Sequence, residues 1–155
     1  MALYFLDSSA LLKLYFQEAG SPAMSRVANL PGTRLALSTL GVIEFRAAVR
    51  ARQRRNEVAA SVAEAALEHF QAKASSEWQR QILSDAVFDV AATLIDRQPL
   101  RAGDALQLAS CIVFRLQLQS VAPVFTCSDH ALLRAARAEG IPSWDPATDP
   151  APGLH

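Results

Sequence analysis

The chain has 155 residues, 51% of them apolar and 19% charged, with 15 basic and 15 acidic side chains in balance. That composition excludes a disordered tail, and the neutral balance excludes a protein that coats nucleic acid by bulk charge while leaving room for a local basic patch. A chain of this length is expected to fold as one domain and to remove roughly 70% of its unfolded surface from water, which is enough for a full core.

The start of the chain lacks the basic residues and small-residue cleavage site of a secretory signal, and Asp7 interrupts its apolar stretch early. No apolar run approaches the roughly 20 residues of a membrane span. A cytoplasmic protein is expected. Cys111 and Cys127 lie in apolar surroundings without CxxC spacing, as buried thiols of a reducing compartment do.

In chain order, Ala2 to Leu6 is too short for a helix and reads as a strand, with Ser8 or Ser9 as the N-cap of a helix to about Gln17. Ser21-Pro22 starts a second helix, to about Leu30, where Pro31-Gly32 turns the chain into a strand from Arg34 to Thr39. Val42, Phe45, Ala48 and Val49 recur at helical spacing between Gly41 and Arg55, and Asn56 is expected to cap a helix to about Ala74. A weak strand follows from Trp78 to Leu83. Ser84 then caps a helix that Pro99 stops beyond Arg97.

After a loop, an apolar helix runs from Asp104 to about Leu118, followed by a strand from Val121 to Thr126. A helix from Asp129 to Glu139 closes on Gly140, and a last strand lies around Ile141 to Trp144. The segment from Asp145, rich in Pro and Ala, reads as a solvated, loose tail: one domain over residues 1–145, and a tail over 146–155. Strands alternating with helices predict a parallel sheet of four to five strands, covered on both faces in a three-layer α/β/α sandwich.

In such a sheet, ligands bind beyond the carboxyl ends of the strands. Asp7 follows the first strand, Glu44 stands in the first turn after the second, Asp104 opens a helix and Asp129 follows the strand ending at Thr126, so all four are expected at one edge. Two carboxylates about 5 Å apart at an effective dielectric near 20 repel by about 3 kcal/mol, so a cluster must take up protons or a divalent cation. Oxygen-only ligands suit Mg²⁺ or Mn²⁺, whereas His69, His130 and His155 lack the spacing of zinc ligands. Metal ions held by carboxylates activate water for attack on phosphorus, which predicts phosphodiester hydrolysis. A phosphoryl-transfer protein with an Asp after its first strand would need a lysine near the later strands, and Lys13 and Lys73, the only lysines, are misplaced for it.

The stretches FLDSSALLKLY, STLGVIEFRAAV, LRAGDALQLASC and VFTCSDHALLRAARAEGI stand in the order and spacing of the PIN domain, and the chain particularly resembles its VapC-type toxin members. The resemblance implies a Mg²⁺- or Mn²⁺-dependent endoribonuclease, with Asp7, Glu44, Asp104 and Asp129 on the acidic positions. It implies a role beside the metal for Ser8 and Ser9. Where relatives often carry a hydroxyl two residues before the last Asp, this chain has Cys127, flanked by Thr126 and Ser128. Gln107 takes a position that is often His in relatives, and is expected as a surface helix residue, with a substrate contact as the alternative. The family also implies a small antitoxin partner that covers the active site, and a homodimer. Arg46, Arg50, Arg52, Arg54 and Arg55 follow Glu44 along its helix and are candidates for gripping RNA phosphates. Tyr4, Tyr15, Phe16 and Phe45 are expected in the core rather than under stacked bases. The alternative is a catalytically weak domain of the same fold that acts mainly as a metal- and antitoxin-binding module.

Overall fold

A computed structural model describes residues 1–119 and 121–152. Five strands, β1 (Ala2–Leu6), β2 (Thr33–Ser38), β3 (Gln79–Gln81), β4 (Val124–Thr126) and β5 (Ser143–Trp144), form one sheet in the order β3-β2-β1-β4-β5. All four pairings are parallel, and β1 lies at the centre, with Tyr4 opposite both Leu35 and Val124.

Successive side chains of a strand point to opposite faces, so a strand covered on both sides is apolar throughout. In β1, Leu3 and Phe5 enter one core while Tyr4 and Leu6 enter the other. The first core is closed by α5 (Asp85–Arg97), α6 (Ala102–Gln117) and α7 (His130–Ala138). The second is closed by α1 (Ser8–Lys13), α2 (Ser21–Ala28), α3 (Thr39–Arg54) and α4 (Ala60–Ser76). The architecture is the expected α/β/α sandwich. Phe45 packs on Phe70 with ring centroids 4.2 Å apart, and Tyr15 meets Phe45 edge-on at 5.0 Å, so these aromatics do belong to the core.

Three predicted boundaries move for identifiable reasons. Strand β4 begins at Val124 and not at Val121, because Pro123 has no N–H to offer a neighbouring strand. Pro142 shortens β5 in the same way, although its carbonyl still accepts from Phe125 N at 2.7 Å. Asn56 does not start α4: it takes a left-handed φ of 57° and ends α3, while Glu57 N reaches back to Arg52 O at 2.9 Å.

Residues 145–149 form a hydrogen-bonded turn in which Asp149 N donates to Asp145 O at 2.9 Å. Of the predicted tail, residues 153–155 lie outside the described residues. Cys111 and Cys127 are free and fully buried, and burial pushes both thiols upward. Among the described residues, no helix is long and apolar enough to cross a membrane.

Candidate active site

The central strand delivers Asp7 to the carboxyl edge of the sheet, where its amide donates to Thr126 O at 3.0 Å as the last rung between β1 and β4. The backbone there is still extended (φ −72°, ψ 162°), and α1 starts at the next residue. The helix cap is Asp7 itself, not Ser8 or Ser9: its carboxylate accepts the Ser9 amide at 3.4 Å and the Ser9 hydroxyl at 2.8 Å. Only 4% of Asp7 is exposed. Burial is the main cause that pushes its carboxyl up to about 6; the charge of Glu44 adds to it, and the bonds from Ser8 and Ser9 oppose it.

Glu44 reaches the site from the first turns of α3. That helix is capped by Ser38, whose hydroxyl accepts Gly41 N at 3.0 Å, and is held down by the buried Phe45 and Val49. The Ser8 hydroxyl lies between the two acids, 3.4 Å from Asp7 Oδ1 and 3.2 Å from Glu44 Oε2. With one proton to donate, it serves one of them at a time. Neither acid forms an ion pair among the described residues.

The other oxygen of Glu44 is held by Gln107, whose Nε2 donates at 3.0 Å. Gln107 is therefore no surface residue. It is fully buried, and its Oε1 accepts the Ser38 hydroxyl at 2.9 Å, so one side chain of α6 ties together the cap of α3 and the acid on it. The available signal was the run ALQLASC: apolar or small residues on every side of Gln107 mark a helix buried nearly all round.

Asp104 lies one turn before Gln107 on α6, in the helix's first turn, where the helix dipole favours an anion. Its carboxylate is 3.5 Å from Arg101 Nε. Asp129 caps α7 by accepting Leu132 N at 2.9 Å. Thus Asp7 and Glu44 are joined through Ser8, whereas Asp104 and Asp129 each have a partner of their own. Among the described residues, no three acidic, His or Cys side chains stand close enough to hold one ion together.

Thr126 spends its hydroxyl on Val124 O at 3.1 Å and meets Asp7 through its carbonyl. Ser128 N donates to the Ser9 hydroxyl at 3.0 Å. Ser128 Oγ donates to Asp145 at 2.6 Å, and Asp145, expected in a solvated tail, is only 1% exposed. Of the five arginines, Arg50 pairs with Glu64 at 2.7 Å, Arg52 with Glu18 at 2.7 Å and Arg55 with Glu57 at 2.6 Å. Arg52 also covers the Phe16 ring at 4.8 Å. Arg46 and Arg54 are exposed, and neither forms an ion pair among the described residues.

No curated protein sequence matches the chain. Its fold is similar to VapBC2 of Rickettsia felis, solved on a DNA fragment from its promoter, at 11% identity over 92% of this chain and 98% of the other, with a TM-score of 0.62. It is similar to VapBC-1 of nontypeable Haemophilus influenzae at 13% identity, over 93% and 98% of the two chains, with a TM-score of 0.62. It is also similar to VapC20 of Mycobacterium tuberculosis, a toxin that cleaves the sarcin-ricin loop, at 17% identity over 90% and 96%, with a TM-score of 0.61. The family model of the PIN domain matches residues 4–137, a span that takes in Asp7, Glu44, Asp104 and Asp129, and the chain belongs to the PIN domain family.

Proposed function

We propose that the chain is a Mg²⁺- or Mn²⁺-dependent endoribonuclease and the toxin of a toxin-antitoxin pair, with residues 1–145 as its working domain. The observation that carries this reading is the state of Asp7. A carboxylate at the edge of the central strand is buried beside Glu44, has no cationic side chain paired with it among the described residues, and is pushed up to about 6. Such a group is costly in a purely structural role and is compensated by a cation.

The side-chain groups of Asp7, Glu44 and Ser8 offer oxygens, no Cys or His hydrogen-bonds to Asp7 or Glu44 among the described residues, and such a set fits a hard divalent ion. Asp7 and Glu44 would hold it. Asp104 would join them on leaving Arg101, a partner 86% exposed whose hold on it is weak. Asp129, whose carboxylate accepts Leu132 N, is the fourth candidate. When bound, the ion supplies an activated water and offsets charge on the phosphoryl oxygens. Ser8 and Gln107 keep the two acids in place, Ser9 fixes the second oxygen of Asp7, and Thr126 and Ser128 anchor the strand ends behind them. Arg46 and Arg54 are the exposed arginines of this helix without an ion pair among the described residues and are the first candidates to grip RNA phosphates, with Arg50, Arg52 and Arg55 as further candidates once released from their glutamates.

The fold neighbours support the toxin reading, since two of them are toxin-antitoxin complexes and a third cleaves RNA. By analogy a small antitoxin would cover this edge, and the active form would be a cytoplasmic homodimer. The test is induced expression in a bacterial host of the wild type beside Asp7→Asn and Asp104→Asn. Growth arrest with RNA cleavage is expected for the wild type only. Equal arrest by all three would sink the metal-nuclease reading.

A further inference from the structure

We propose that Asp145 is a positioning residue for Asp7, acting through Ser128 and Ser9; the proposal rests on the reading of Asp7 as a metal ligand given above. Three hydrogen bonds run in series. Ser128 Oγ donates to Asp145 Oδ1 at 2.6 Å, Ser128 N donates to Ser9 Oγ at 3.0 Å, and Ser9 Oγ donates to Asp7 Oδ2 at 2.8 Å.

The direction of the Ser9 proton follows from this series. A hydroxyl that accepts an N–H from one side has its single proton free for the other, and here the other side is Asp7. Ser128 can present its amide only if its loop, between β4 and α7, stays in place. Asp145 holds that loop from 17 residues further along the chain, beside the backbone bond from Cys127 N to Trp144 O at 3.1 Å.

A local turn would not require this contact. Asp145 also accepts Ala147 N at 2.9 Å and Thr148 Oγ1 at 3.1 Å, and these join the backbone bonds from Thr148 N and Asp149 N to Asp145 O in closing the turn at 145–149. The third bond, to Ser128, leaves the turn and leads to the site. Burial works against the Asp145 charge, but the bonds from Ser128, Ala147 and Thr148, with the charge of Lys13, outweigh it and hold the carboxyl below its ordinary range, so it remains an acceptor.

The turn is itself seated firmly. It lies against Gly20, where φ is +89° and an added Cβ would come within 2.7 Å of Ala147 N and of the Pro146 carbonyl carbon. The C-terminal segment therefore rests on the loop between α1 and α2 and anchors the corner of the site that faces Ser9.

The test compares Asp145→Asn, Ser128→Ala and Thr148→Ala in the whole chain, with two readouts. The first, without metal, is hydrogen exchange of the Ser128 amide by NMR; the second is Mn²⁺ affinity by calorimetry. Asp145→Asn and Ser128→Ala should each speed Ser128 exchange about 10-fold and weaken Mn²⁺ binding about 10-fold, as loss of groups that orient ligands does. Thr148→Ala, which removes a bond to the same carboxylate off the path, should leave both within about 2-fold. In Asp145→Asn combined with Ser9→Ala, the loss of affinity should equal that of Ser9→Ala alone. Unchanged Ser128 exchange in both Asp145→Asn and Ser128→Ala, or additive losses in the double variant, would overturn the proposal. A wild type that binds no Mn²⁺ would instead overturn the metal reading of Asp7, and the exchange data would still decide whether Asp145 holds Ser128.

Discussion

Gln107 Nε2 lies 3.0 Å from Glu44 Oε1, so a buried amide on α6 sets the position of an acid on α3. Replacing it by leucine would remove that donor and also leave the buried Ser38 hydroxyl without its acceptor. Gln107→Leu should cost about 1–3 kcal/mol of stability in urea unfolding, the usual penalty for an unsatisfied buried group. RNA cleavage should fall about 10- to 100-fold, because the ligand loses the group that orients it. Cleavage at the wild-type rate would mean that Glu44 needs no such hold.

Asp7 predicts a pH dependence. Its folded carboxyl is pushed up to about 6 from an ordinary 3.8, so the folded state holds this proton more tightly than the unfolded state does. The resulting stability is fully present below about pH 4 and is lost as pH rises through about 6, roughly 3 kcal/mol in all. Asp7→Asn cannot lose a proton. In metal-free buffer it should therefore melt above the wild type at pH 8, with the gap closing toward pH 4. A gap of the same size at both pH values would show that burial of the charge is not its cause.

Asp104 predicts the opposite separation of stability from activity. Its side chain is 25% exposed and its partner Arg101 is 86% exposed, a pair worth about 0–1 kcal/mol. Asp104→Asn should shift metal-free stability by no more than about 1 kcal/mol while abolishing RNA cleavage. Four mutually repelling acids at one edge would have made the same change strongly stabilising, and the ion pair with Arg101 removes that expectation.

The arginines divide by their partners. Arg46→Ala and Arg54→Ala should weaken RNA binding at equal stability and reduce the salt slope by about 0.7 each, the value for a contact to single-stranded phosphate. Arg52→Ala should mainly lower stability, since Arg52 is tied to Glu18 and lies over Phe16. Filter binding at several salt concentrations, with thermal melting alongside, separates the two groups.

The layered fold was legible because β1 is apolar at every position and the helices carry clear periodicity. So was the delivery of Asp7 to the sheet edge, which follows from strand length alone. What stayed hidden depends on contacts between segments far apart in sequence. Gln107 and Glu44 are 63 residues apart, and Ser128 and Ser9 are 119 apart. Asp145 was misread because Pro and Ala around it resemble a tail, whereas its burial is decided by the fit of the turn against Gly20. The sequence puts Asp104 and Asp129 at helix starts but does not aim them: local partners, Arg101 and Leu132 N, take their carboxylates.

The most direct test of the account is cleavage of purified RNA by the wild type and by Asp7→Asn, each with Mn²⁺ and with a chelator in its place. Cleavage is expected only by the wild type with Mn²⁺, at least about 100-fold above the other three arms, which corresponds to about 2.7 kcal/mol in the barrier. Equal cleavage by wild type and Asp7→Asn, or cleavage by the wild type that persists undiminished in chelator, would contradict it.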